Sequence, residues 1–158
     1  MKMKILVYGY GNPGRQDDGL GPEFARRIQE WIEEEDYSNI ETDSNYQLNI
    51  EDAEAISGKD IVIFVDASIE EIDSIDFTPV VASDATIEFT MHAVSSSFVL
   101  DLCKKIYNSH PTTWLLHIKG YEWDFREGLS EAAEKNLKLA LTFIKEKLKN
   151  PELLLQNS

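Results

Sequence analysis

The residues best suited to chemistry are a pair of adjacent carboxylates, a carboxylate at a predicted strand end, and an imidazole. Asp17 and Asp18 are neighbours, and Asp18 is followed by Gly19-Leu20-Gly21-Pro22, where glycines let backbone approach a ligand closely. Two carboxylates at the lip of a crevice repel phosphate and attract a hard or borderline cation. Asp66 comes straight after the apolar run Ile61 to Val65, and His92 lies between a predicted strand and a predicted helix. A neutral imidazole suits nickel or zinc, and two carboxylates with one imidazole leave coordination positions open for a substrate. Each residue alone has a structural alternative: helix capping for Asp18, loop capping for Asp66, and capping or packing for His92.

Other candidates weigh less. For Asp17 alone we favour a capping or loop role, and we read His110, in a turn, and His117, inside a strand, as structural. Glu122, Asp124 and Glu127 lie in the loop after the last main strand, where acids are usually just solvated, although that loop could reach a cleft. Gly9-x-Gly11-x-x-Gly14 has the spacing of a dinucleotide fingerprint, which is a weak signal. Such a site needs a positive helix end for pyrophosphate, and here Asp17 and Asp18 occupy it.

These residues need elements to position them. Lys4 to Tyr8 reads as a strand that breaks at the glycine cluster Gly9 to Gly14. A helix follows from Pro22, with Phe24, Ile28, Trp31 and Ile32 at helical spacing up to Glu33 to Asp36. A weaker strand is expected around Ile40 to Tyr46, then a short helix over Ile50 to Ile56. Ile61 to Val65 is the clearest strand, and its unbroken apolar run predicts burial on both faces of a parallel sheet. Phe77 to Ala82 and Thr86 to Thr90 are strand candidates for a hairpin, Ser95 to Tyr107 a helix, and Trp114 to Ile118 another strand. The last helix starts near an N-cap at Ser130, buries Leu137, Leu141, Ile144 and Leu148, and ends at Pro151. Helices alternating with buried strands imply one doubly wound α/β domain over residues 1–150, with a mostly parallel central sheet flanked by helices. Ligands collect beyond the carboxyl ends of strands in that architecture. Glu152 to Ser158 are expected to fray, with docking of Leu153-Leu154-Leu155 into a groove as the alternative.

Bulk properties narrow the function classes. The chain has 158 residues, 42% of them hydrophobic, enough for a core without metal or disulfide staples. Its formal charge of -14, from 29 acidic and 15 basic residues, argues against nucleic acid as a partner. The lone cysteine, Cys103, excludes an internal disulfide and a cysteine-rich metal site and suits a reducing compartment. No apolar run reaches the roughly 18 residues of a membrane span, and Ile5 to Tyr8 is too short for a signal peptide, so a soluble cytoplasmic protein with no membrane partner is expected.

In combination, Gly9-x-Gly11-Asn12-x-x-x-x-Asp17-Asp18-Gly19-x-Gly21, Val65-Asp66-Ala67 and His92 resemble the hydrogenase maturation protease family, over about Lys4 to Leu148. The first motif is the most specific. The resemblance implies an endopeptidase that removes the C-terminal extension of a nickel-iron hydrogenase large-subunit precursor after nickel insertion. It also implies that Asp18, Asp66 and His92 are the metal-contacting and catalytic residues, and that nickel is presented by the substrate, so the free enzyme holds it loosely or not at all. Tyr46-Gln47-Leu48-Asn49-Ile50-Glu51 departs from one branch's glycine-rich stretch and is nearer another branch's His-Gln-Leu-x-Pro-Glu. Two other functions compete. Gly11-Asn12-Pro13-Gly14 also resembles the start of peptidyl-tRNA hydrolases, but the histidine and asparagine expected next are replaced by Gln16-Asp17-Asp18. A non-enzymatic nickel-binding or docking factor would use the same ligands, because ligands do not prove bond cleavage.

Overall fold

The computed structural model describes residues 2–83 and 94–155. In chain order it contains β1 (Ile5–Tyr10), a 3-10 turn (Gln16–Gly19), α1 (Leu20–Glu35), β2 (Ile40–Asn45), α2 (Asp52–Ile56), β3 (Ile61–Ser68) and β4 (Ile75–Pro79). Then follow α3 (Ser96–Tyr107), β5 (Thr112–Lys119), α4 (Glu131–Lys149) and a closing 3-10 turn (Pro151–Leu155). The sheet order is β2-β1-β3-β5-β4. β1 pairs in parallel with both β2 and β3, β3 pairs in parallel with β5, and β4 runs antiparallel to β5.

Side chains alternate across a strand, so the unbroken apolar strands bury both faces. Ile5, Val7, Ile61, Ile63, Val65, Trp114 and Leu116 pack against Phe24 and Ile28 of α1 and Leu137 and Ile144 of α4. On the other face, Leu6, Tyr8, Val62 and Phe64 meet Ile56 of α2 and Val99, Leu100 and Cys103 of α3. The result is the doubly wound, mostly parallel α/β sheet that the sequence predicts. Burial pushes the Cys103 thiol up, which keeps it protonated and unreactive.

The helix starts follow from local chemistry. Ser95 and Ser130 are N-caps whose hydroxyls accept from the Phe98 and Ala133 amides, at 3.1 and 3.2 Å. β4 lies two residues before the expected Phe77 to Ala82, because Ile75 and Phe77 turn toward the core while Asp76 and Thr78 alternate outward. Pro79, lacking an N–H, closes the strand. The predicted strand Thr86 to Thr90, and with it His92, lies outside the described residues.

The tail corrects an expectation. Residues 151–155 do not fray: Leu154 is buried against the α1 and α4 face, and the Trp114 indole N–H donates to its carbonyl at 2.9 Å. A buried indole needs an acceptor, and the tail supplies both that acceptor and an apolar side chain. Among the described residues, no helix is long and apolar enough to cross a membrane.

Candidate functional site

The first loop is shaped by close packing. A Cβ on Gly9 would land on the Gly21 carbonyl oxygen, and a Cβ on Gly21 would lie 2.6 Å from the Val65 carbonyl oxygen. The start of α1 therefore sits directly on the ends of β1 and β3, closer than any side chain allows. Gly11 has φ +145, and a Cβ there would strike the Asp18 carbonyl. These glycines bring Asp18 next to the end of β3. The Asn12 amide donates to the Asp18 carboxylate at 2.8 Å, and the Asn12 side chain accepts from the Gly14 amide at 2.9 Å, so Asp18 is held by its own loop.

Asp18 and Asp66 line one open cleft of about 590 Å³, together with Arg15, Ser68, His117 and Trp123. It lies beyond the carboxyl ends of β1, β3 and β5. The connection after β1 leads outward to β2 and the connection after β2 returns to β3, so this is the topological switch point where ligands of such sheets bind. Another cavity, about 380 Å³, is lined by Val80, Leu100, His110 and Trp114 toward the opposite end of β5 and holds no paired carboxylates.

Burial and the Asp18 charge push the Asp66 carboxyl up to about 7, against hydrogen bonds from the Ala67 amide and the Tyr10 hydroxyl. Two close carboxylates share a proton readily, and a divalent cation would displace it. The Tyr10 hydroxyl is itself pushed well above its ordinary value by burial and by Asp66, so it stays protonated and serves Asp66 as a donor. This pair can act as an oxygen-donor clamp for a cation or, through one carboxylate, as a general base.

Other candidates fall out differently. The sequence places His117 among apolar neighbours, which suggests a structural residue, yet it lines the cleft and sits in register beside Asp66 on β5. Its signal was position: it occupies on β5 the place that Asp66 occupies on β3, which becomes visible only once the strands are aligned. Among the described residues, no three His, Cys, Asp or Glu side chains are grouped to hold a metal ion. Glu122, Asp124 and Glu127 do not line the cleft; from their loop it is Trp123 that does.

Asp17 is structural, as expected, and to an extent the sequence did not reveal. It is fully buried and accepts from the Tyr121, Glu122 and Ser130 amides and the Ser130 hydroxyl, at 2.7, 3.0, 2.8 and 2.8 Å. Burial raises its pKa, but the hydrogen bonds from Ser130, Glu122 and Tyr121 outweigh that and hold it below the usual carboxylate range. Next to it, the Gln16 side chain accepts from the Asp124 amide at 3.1 Å and the Gln16 amide donates to the Arg126 carbonyl at 2.8 Å. The two segments are thereby locked together.

No family model matches the sequence, and no curated protein matches it. Solved structures do match. The hydrogenase maturating endopeptidase HybD from E. coli superposes with a TM-score of 0.75 over 94% of this chain and 94% of that one, at 17% identity. The fold is that of the hydrogenase maturation proteases. The [NiFe] hydrogenase maturation protease HycI from Thermococcus kodakarensis KOD1 superposes with a TM-score of 0.71 over 94% of each chain, at 21% identity. A hydrogenase 2 maturation peptidase from Thaumarchaeota archaeon SCGC_AB-539-E09 gives 0.66 over 92% of this chain and 98% of that one, at 20% identity. At such identities the likeness is one of fold, and in this chain Asp18 and Asp66 share one cleft of that fold.

Proposed function

We propose that this protein is a cytoplasmic endopeptidase that removes the C-terminal extension of a nickel-loaded nickel-iron hydrogenase large-subunit precursor. The observation that carries this reading is the meeting of Asp18 and Asp66, 48 positions apart in sequence (66 − 18), in one cleft at the switch point of a maturation-protease fold. In this reading, nickel arrives as part of the substrate. Asp18 and Asp66, with His92 as third ligand, complete its coordination and so fix the precursor's tail across the cleft, turning peptide hydrolysis into a reaction between prepositioned groups. In the alternative within this reading, where nickel serves only for recognition and leaves Asp66 uncoordinated, Asp66 takes a proton from the attacking water and returns it to the leaving nitrogen. Tyr10 keeps that carboxylate oriented.

The test is direct. Incubated with nickel-loaded precursor, the protein should lower the large subunit's intact mass by that of its C-terminal peptide. A precursor that binds the protein but keeps its full mass would make the chain a nickel-binding or docking factor.

A further inference from the structure

We infer that Arg15 stabilises the negative charge that develops on the scissile carbonyl oxygen, an assignment that rests on the proteolytic reading above. Arg15 lines the same cleft as Asp18 and Asp66. A cation in a cleft built to receive a cation works against that purpose through like-charge repulsion, so its presence calls for a reason. Arg26, Arg27 and Arg126 each pair with a glutamate, whereas Arg15 pairs with no carboxylate among the described residues. Its Nη2 donates to the Trp123 carbonyl at 3.2 Å, and its guanidinium carbon lies 4.9 Å from the Phe125 ring centroid. Its buried Nε has no acceptor among the described residues. A guanidinium has five N–H donors, and one hydrogen bond together with a ring face fixes its plane while leaving most donors uncommitted.

A purely structural role, pinning the loop after β5, would be redundant. Asp17 already holds that loop and Ser130 through four hydrogen bonds on its carboxylate, and Gln16 adds bonds at Asp124 and Arg126. The hydrolytic step, in contrast, has a use for a donor in the cleft. Water oxygen forms a bond to the carbonyl carbon as its proton passes to a carboxylate, and the C=O π pair moves onto oxygen. The tetrahedral species collapses by breaking the C–N bond, the proton moves to nitrogen, and the products are a carboxylate and an amine. Charge on the carbonyl oxygen is greatest in the transition state, so a positioned guanidinium accelerates the reaction more than it tightens substrate binding.

The experiment compares full-length wild type, Arg15→Ala and Arg15→Lys on nickel-loaded precursor, reading processing by intact mass and the fold by circular dichroism and melting temperature. Arg15→Ala should lose about 10²- to 10³-fold in kcat, with KM changed by less than about threefold. Added guanidinium ion should restore part of that loss, a rescue that a loop-pinning role would not show. Arg15→Lys, with its charge but not its fork, should fall between the two and decides the matter by the same kcat and KM split if Arg15→Ala does not fold. Wild-type kcat in a folded variant, or a loss that guanidinium does not relieve, would overturn the inference while leaving the proteolytic reading intact. A wild-type protein unable to process the precursor would overturn that reading and this inference with it.

Discussion

Replacing Asp17 with asparagine isolates the contact that ties the first loop to the loop after β5. The carboxylate Oδ2 accepts three hydrogen bonds, from the Tyr121 and Glu122 amides and the Ser130 hydroxyl, and Oδ1 accepts one from the Ser130 amide. An asparagine oxygen in the Oδ2 place retains the first three without their charge assistance. Its NH2 then faces the Ser130 N–H, donor against donor. Losing one bond to a charged acceptor costs roughly 1.5–3 kcal/mol, and weakening the others adds to this, while sparing a buried charge offsets part, so the net cost is about 3 kcal/mol. For a chain of 158 residues this corresponds to a fall of roughly 6–12 °C in melting temperature. The pH dependence has a definite sign. A carboxyl whose pKa is lowered on folding contributes fully above its unfolded value, near about 3.9, and its contribution disappears as pH falls through the folded value. The gap between wild type and Asp17→Asn should therefore be constant from about pH 8 to 5 and should narrow below about pH 4. Urea denaturation across that range measures it. A variant within about 0.5 kcal/mol of wild type at neutral pH, or a gap that widens in acid, would refute the reasoning.

Two further changes test how the cleft and core are built. Gly21→Ala should push the start of α1 off the Val65 and Tyr10 carbonyls, lowering stability by about 1–3 kcal/mol and, on the proposed reading, slowing processing of the nickel-loaded precursor; urea unfolding and intact mass check the two effects. Leu154→Ala should cost about 2–4 kcal/mol and shift Trp114 fluorescence to the red as water reaches the indole, whereas a freely fraying tail would show neither change.

Much of the fold was legible because its core strands and helices carry simple periodicities. Ile61 to Val65 could only be a strand buried on both faces, and Phe24, Ile28, Trp31 and Ile32 could only line one side of a helix. Ser95 and Ser130 announced helix starts through capping chemistry alone. What eluded sequence reasoning depends on contacts between distant segments. β4 was misplaced because the apolar Val80-Val81-Ala82 outweighed the Ile75, Phe77 alternation that pairs with β5. The tail was read as free because Leu154 looks unclaimed until Trp114 is known to need an acceptor. In the cleft, the positions of Asp18 and Asp66 could be argued from their places at element ends. Those of Arg15, His117 and Trp123 could not, since nothing in their local sequence says that β5 and its following loop close over the same crevice.

The central claim is that Asp18 and Asp66, joined by His92, process a nickel-loaded precursor. The measurement that tests it most directly is the intact mass of the large subunit after incubation with Asp18→Ala, Asp66→Ala and His92→Ala beside wild type, each variant first shown to be folded. Wild type should release the C-terminal peptide and all three variants should leave the precursor whole, because on the proposed reading these side chains hold the substrate's nickel, while Asp18 and Asp66, at element ends, contribute little to the core. Release of the peptide at the wild-type rate by all three variants would contradict the account.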